Sequence, residues 1–312
     1  MYYTGFADEA AKDLAGQIRA TKELNWQWIE SRAIDGVNIH DLPEADFDRV
    51  CEMLADSGVG INCFGSTVAN WACHVFNEAE YEATVAALRR ALARMKKLDC
   101  KMIRGMSFRA EWLRPRFDPE IEAWVFPRLE KLVRMCEEAG VLYLHENCNN
   151  IAGMSYVHTL RMLEKIPSPA LKLVFDTGNP VMNFDRSEGD ELVHSQSSWE
   201  FYKNVRDFVA YVHIKDGFLK EPNPAGFGKM VFTFPDEGSG DVRMIVTDLL
   251  RRGYDGGFSM EPHMSKVFHE ENAEAKAALC FENYVEYGRR FMKLVDELKA
   301  QAAALAAAQA AR

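Results

Sequence analysis

Short apolar runs and longer helix-like stretches alternate along this chain from one end to the other. Tyr2 to Phe6, Trp28-Ile29-Glu30, Gly60 to Phe64 and Lys101 to Gly105 read as strands. Val141 to Leu144, Leu171 to Phe175, Val209 to Val212 and Phe258 to Met260 follow as four more. Helices are expected at Ala10 to Leu24, Asp46 to Ser57, Glu78 to Leu98, Pro119 to Ala139, Ser155 to Lys165, Ser198 to Arg206, Val242 to Arg252 and Glu274 to Lys299. Gly58, Gly140 and Gly253 stand where helix C-terminal caps favour glycine. About eight β-α units in one chain predict an α/β fold, a closed (β/α)8 TIM barrel rather than an open sheet.

No Pro, Gly or Ser linker divides the chain, so residues 1–300 are read as one barrel domain and 301–312 as an Ala-rich tail able to extend the last helix. Two connections are long. Phe64 to Asn77 carries Trp71 and His74, and Gly217 to Gly240 is broken by Pro and Gly clusters. Long loops in compact domains are usually functional or disordered, and in a βα barrel the loops after strands surround the active site.

Composition narrows the classes. Hydrophobic residues make up 48% and charged residues 27% of the 312, enough for a sizeable core. The formal charge of −10 argues against a nucleic-acid surface, though not against a local basic pocket. No apolar stretch reaches the roughly 18 residues of a membrane span, and the N-terminus lacks the pattern of a signal peptide. The seven cysteines form no CxxC pair, so free thiols and a cytoplasmic location are expected. Cys148 lies next to the proposed site, where a catalytic thiol is the alternative to a buried one. The first strand is not followed by GxGxxG, which speaks against dinucleotide binding.

The last four strands share one design: an apolar run that stops at a metal-capable side chain. They end in His145-Glu146-Asn147, Asp176-Thr177-Gly178-Asn179, His213-Ile214-Lys215-Asp216 and Glu261-Pro262-His263. Strand ends converge on one face of a barrel, so Glu146, Asp176, His213 and Glu261 should meet there. Three carboxylates and an imidazole suit Mn²⁺, Mg²⁺ or Co²⁺ better than a structural zinc, which favours Cys and His.

With those motifs and the closing stretch Gly238-Ser239-Gly240-Asp241-Val242 through Gly253-Tyr254-Asp255-Gly256 to Glu261-Pro262, the chain resembles the xylose-isomerase-like barrels, in their sugar phosphate isomerase/epimerase branch. The resemblance covers nearly the whole chain. It implies one divalent metal, Mn²⁺ foremost, on Glu146, Asp176, His213 and Glu261. It also implies that Glu146 and Glu261 move the proton on either side of a sugar carbon, as in ketose 3-epimerases. General chemistry agrees: a metal stabilises the charge that develops beside a carbonyl, and a carboxylate within reach acts as base. Two features depart from the epimerase pattern. Asn179 stands in place of a His, and Leu219 in place of an Arg; both family residues handle substrate oxygens.

Lys215 is the nearest replacement cation, with a salt bridge to an acid as the alternative. His145 is a candidate catalytic base, although adjacent strand residues face opposite ways. His263 follows Glu261 by two and is a candidate substrate contact. Glu30 and Arg32 end the second strand and Arg104 the fourth, as substrate contacts or as a rim ion pair. Trp71 and His74 form either a sugar-stacking wall or loop packing. The expected activity is isomerisation or epimerisation of a small-molecule sugar. A lyase that splits 3-oxo-glycosides, including C-glycosides, by elimination shares the first half-reaction; an added base such as His145, and in some cases a small partner subunit, would serve it. Homo-oligomers are common among such barrels. An abasic-site endonuclease would need several zinc ions and more His ligands, and a non-catalytic binding protein would not need four intact ligands.

Overall fold

The structure is a computed structural model that describes residues 1–111, 117–185, 194–223, 228–264 and 273–310. Residues 224–227 of the second long connection and 311–312 of the tail lie outside the described residues.

Eight strands form the barrel: β1 Tyr2–Gly5, β2 Trp28–Ser31, β3 Gly60–Gly65, β4 Met102–Gly105, β5 Leu142–Glu146, β6 Leu171–Asp176, β7 Val209–Ile214 and β8 Gly257–Met260. Each pairs in parallel with the next from β2 to β8, and β8 pairs in parallel with β1. The seam between β1 and β2 is bridged at Phe6 and Glu30. Helices α1 Leu14–Glu23, α2 Glu44–Ser57, α3 Glu78–Lys97, α4 Pro119–Glu138, α5 Tyr156–Lys165, α6 Ser198–Val205, α7 Val242–Arg251 and α8 Ala273–Ala310 stand between and after the strands. The expected TIM barrel is therefore the observed one.

Local chemistry sets the helix ends. The Asp13 carboxylate accepts the Gly16 N–H at 2.8 Å to open α1, and Asp118 accepts from Glu120 N–H at 2.9 Å just ahead of Pro119 in α4. Such caps contribute about 1 kcal/mol each. Gly58, Gly140 and Gly253 take φ of 71°, 67° and 75°, the left-handed turn that stops a helix and that other residues adopt at a cost.

Apolar residues fill two spaces. Between sheet and helices, rings such as Phe175 against Phe201 and Tyr202 tie β6 to α6. Inside the barrel, Cys63, Leu144, Val174 and Tyr211 form a smaller cluster. There Thr4 Oγ1 donates to Asn62 Oδ1 at 3.0 Å, and Asn62 Nδ2 donates to the Tyr211 hydroxyl at 2.9 Å. Packing closes one end of the barrel and leaves the strand C-termini for chemistry.

Two features go beyond the sequence expectation. A hairpin of Gly217–Glu221 and Lys229–Phe232 occupies part of the second long connection. One helical turn, Asn179–Met182, follows β6 directly. The Ala-rich tail continues the last helix, α8, to Ala310, as the sequence allowed. The seven cysteines are free, and no helix among the described residues is long and apolar enough to cross a membrane.

Candidate metal centre

The register of the sheet sets the site. His213 lies opposite both Asp176 on β6 and Ser259 on β8, and Glu146 lies opposite Val174, two residues before Asp176. Side chains two apart in a strand share a face. Asp176 therefore rises one step above Glu146 on the inner face, and Glu261, two past Ser259, stands one step above His213. Ligand atoms of Glu146, Asp176, His213 and Glu261 all lie within 4.8 Å of one another, and all four residues are buried.

From His213 Nδ1 the distances are 3.9 Å to Glu146 Oε1, 3.9 Å to Asp176 Oδ2 and 3.5 Å to Glu261 Oε2. Those spacings are too long for hydrogen bonds. They match the ~3–4 Å between donor atoms that each stand about 2.1 Å from a shared ion. His213 Nδ1, Asp176 Oδ2 and Glu261 Oε2 are all buried. A lysine ammonium is the close neighbour of the two oxygens, the imidazole nitrogen is left without a partner, and the donor set suits a divalent cation.

The remaining donor and acceptor atoms of these side chains are committed elsewhere. Asp176 Oδ1 accepts the N–H groups of Gly178 at 2.8 Å and Asn179 at 2.7 Å. The Asn147 side chain clasps the Asp176 backbone through both its polar atoms, at 2.7 and 2.9 Å. Glu146 Oε1 accepts from Asn179 Nδ2 at 2.9 Å and Oε2 from Arg104 at 3.2 Å. Glu261 Oε1 meets Arg32 at 3.4 Å and His263 Nε2 at 3.2 Å. His213 Nε2 faces Glu30 Oε2 at 3.0 Å, and Ser259 donates to the same oxygen at 2.6 Å. Lys215 Nζ stands 2.9 Å from Asp176 Oδ2 and 3.1 Å from Glu261 Oε2.

Charge follows geometry. Burial lowers the His213 imidazole, but Glu30, backed by Glu146 and Glu261, outweighs it and raises the group to about 9. Burial pushes the Asp176 carboxyl up, with Lys215 opposing, to about 6. Burial also acts on Glu261, but Lys215 and His263 overcome it and hold that carboxyl well below the usual range.

The weaker candidates divide. Asn179, Lys215, Arg104 and His263 all touch the ligand set. Glu30 does not open to substrate: it is fully buried beneath His213, as a group that orients the imidazole. His145 also lies away from the ligand set. It is fully buried on the opposite face of β5, its Nε2 within 3.0 Å of Ser107 Oγ and 2.9 Å of Asn150 Oδ1. Burial lowers it to about 4, which favours the neutral imidazole. Alternation along β5 sends His145 outward because Glu146 points inward. Trp71 is about half exposed (47%), and the structure gives it no contact with the ligand set. His74 is tied to Glu80 at 2.9 Å and Arg109 at 2.8 Å, as loop packing. Cys148 is buried, which pushes its thiol well above the usual value and removes the thiolate a nucleophile needs. Leu219 sits in the hairpin paired with Met230 and brings no polar group.

Several contributors had little or no sequence signal. Phe6 puts its ring 5.0 Å from that of His213, with the Arg32 guanidinium 4.5 Å and the Arg104 guanidinium 5.4 Å from the Phe6 ring. Glu9 accepts the His263 N–H at 2.6 Å from a short helical turn after β1. Ser259 was within reach of the sequence, since it precedes Glu261 by two. Asp216 explains the Gly238-Ser239-Gly240 stretch: its carboxylate accepts the N–H groups of Gly217, Asp236, Gly238 and Gly240 at 2.8 to 3.1 Å and pins the loop beside the site.

Residues 18–284 match the family described as Xylose isomerase-like TIM barrel. No curated protein matches the sequence. Among solved structures the fold is similar to a D-tagatose 3-epimerase-like protein, at 19% identity and TM-score 0.66, over 95% of this chain and 99% of that one. It is similar to the IOLI protein with a binding zinc atom, at 14% identity and TM-score 0.69, over 96% and 99%. It is also similar to a Xylose isomerase-like TIM barrel protein from Mycobacterium smegmatis in complex with magnesium, at 16% identity and TM-score 0.65, over 94% and 97%. The chain belongs to the Xylose isomerase-like TIM barrel family.

Proposed function

We propose that this member of the Xylose isomerase-like TIM barrel family is a divalent-metal-dependent sugar isomerase or epimerase. The observation that carries the proposal is the inward convergence of His213 Nδ1, which has no hydrogen-bond partner, with Asp176 Oδ2, Glu261 Oε2 and Glu146, all buried and within 4.8 Å of one another. Glu146, Asp176, His213 and Glu261 would hold the ion, Mn²⁺ foremost with Mg²⁺ or Co²⁺ as alternatives. That similar folds are described with magnesium or zinc supports a dication here. When bound, the ion supplies Lewis acidity that lowers the cost of negative charge beside a carbonyl.

The protein's own groups divide the remaining work. Glu146 and Glu261 stand at the two ends of the run β5, β6, β7, β8, with Asp176 and His213 between them. A sugar carbon held over the cluster thus meets a carboxylate from either side. Glu261, whose Oε2 faces the cluster, removes the proton from the carbon next to the carbonyl. Glu146, fixed by Asn179 and Arg104, gives a proton back. Return to the opposite face inverts the carbon, and return to the neighbouring carbon isomerises. Arg32 and His263 hold the outer oxygen of Glu261 in place. The free thiols fit a reducing, cytoplasmic setting. The lyase alternative loses its extra base, because His145 faces away from the cluster.

The test is solvent deuterium exchange with Mn²⁺ and a panel of ketoses and 3-oxo-glycosides. Exchange without release of an aglycone supports the proposal. Release identifies the lyase, and no exchange with either panel overturns both.

A further inference from the structure

Among the described residues, three Lys or Arg side chains touch the ligand carboxylates, each on different oxygens. Arg104 binds the outer Oε2 of Glu146, and Arg32 the outer Oε1 of Glu261. Backbone N–H groups take the outer Oδ1 of Asp176. Lys215 alone among these groups stands on inner oxygens, 2.9 Å from Asp176 Oδ2 and 3.1 Å from Glu261 Oε2. Its third partner is Asn179 Oδ1 at 3.1 Å, which is not a ligand atom.

We infer that Lys215 is a tethered cation that competes with the metal for Asp176 Oδ2 and Glu261 Oε2, and that seating the ion releases the ammonium toward substrate. The inference rests on the metal assignment above. An ammonium and a dication drawn to the same two oxygens lie only a few ångströms apart in a buried site, where screening is weak. The arginines face no such conflict, because the carboxyl group itself separates them from the inner oxygens. Gly178 leaves the Lys215 stem its place. The ammonium sits on a flexible four-carbon stem, and the stem lies along Gly178, where a Cβ would stand 2.7 Å from Lys215 Cγ. Asn179 Oδ1 remains as a partner when the two carboxylates are taken. In the metal-free protein the same ammonium offsets carboxylate repulsion and keeps the ligands converged.

The test uses the full chain, stripped with a chelator and titrated with Mn²⁺ against a fluorescent chelator. Lys215→Met should bind Mn²⁺ at least about tenfold more tightly than wild type, while Lys215→Arg, which keeps the charge, stays near wild type. Equal or weaker binding by Lys215→Met overturns the inference and makes Lys215 an organiser of the ligands. If neither wild type nor Lys215→Met takes up stoichiometric Mn²⁺, Mg²⁺, Co²⁺ or Zn²⁺, the metal assignment itself has failed. Should Lys215→Met not fold, acetylation of wild type mapped by mass spectrometry decides. Labelling of Lys215 should rise when Mn²⁺ is added, and labelling that stays level or falls overturns the release.

Discussion

His213 and Glu30 form a fully buried pair, with Nε2 3.0 Å from Oε2, on strands β7 and β2 from opposite sides of the barrel. The carboxylate fixes which imidazole nitrogen carries the proton: Nε2–H donates to Glu30, and Nδ1 is left to face the ligand cluster. Ser259, from β8, holds the same carboxylate at 2.6 Å. Three strands thus aim one nitrogen.

Glu30→Gln keeps the shape and removes the charge that favours this tautomer. Groups that orient a ligand histidine typically contribute 10–100-fold to metal affinity. Mn²⁺ affinity should fall by about that factor in a chelator competition. Unchanged affinity would mean that Glu30 only packs.

Glu261→Gln separates base from ligand. The amide oxygen can still face the cluster, but it cannot take a proton. Solvent deuterium exchange into a ketose should drop by about 10²–10⁴, even at Mn²⁺ concentrations that refill the site. Glu146→Gln should still exchange the proton that Glu261 removes yet form little epimer. If both variants exchange at the wild-type rate once refilled, neither carboxylate is the base.

Position along β5 decides the role of His145. Its Nε2 bonds Ser107 and Asn150 in the layer between sheet and helices. Replacing it with Leu removes a partner from two buried polar groups, at a cost of about 1–3 kcal/mol. The melting temperature should fall by several degrees, while turnover stays within about threefold of wild type. A variant that melts normally but loses turnover by ~100-fold would return His145 to catalysis.

The barrel was legible because each of its strands is a short buried run followed by a helix, and strand ends in such a fold converge by topology. The ligand set was legible for the same reason: Glu146, Asp176, His213 and Glu261 each interrupt an apolar run at its end. What surrounds them was harder to read. Glu30 and Arg104 look alike in sequence as charges at strand ends, yet one lies beneath the imidazole and the other binds a ligand carboxylate. Only side-chain direction within the barrel separates them. Glu9 and Phe6 come from the β1 end and the turn after it, where no periodicity marks a functional face. Asn147 reads as a loop residue, but its amide continues the pairing of β5 with β6 past the last strand residue.

His40, bonded to Thr67 in the loop after β3, provides the pH test. Its side chain is fully buried, and Nε2 accepts the Thr67 N–H at 3.3 Å, a bond that requires the unprotonated nitrogen. Burial lowers this imidazole below its ordinary value; Asp41 opposes the shift, and Arg90 and Arg94 add to it. In the unfolded chain the same group protonates near pH 6.5. Below that pH the unfolded state binds a proton that the folded state refuses. The stabilising contribution is therefore full above pH 6.5 and is lost as pH falls toward the lowered folded-state value. The slope for one such group is at most about 1.4 kcal/mol per pH unit. His40→Gln keeps an acceptor for the Thr67 N–H but cannot titrate. Urea unfolding from pH 7 to pH 5 should show wild type losing more stability than the variant, with the difference widening as pH falls. Parallel pH profiles would show that His40 protonates as readily in the folded protein as in the unfolded chain.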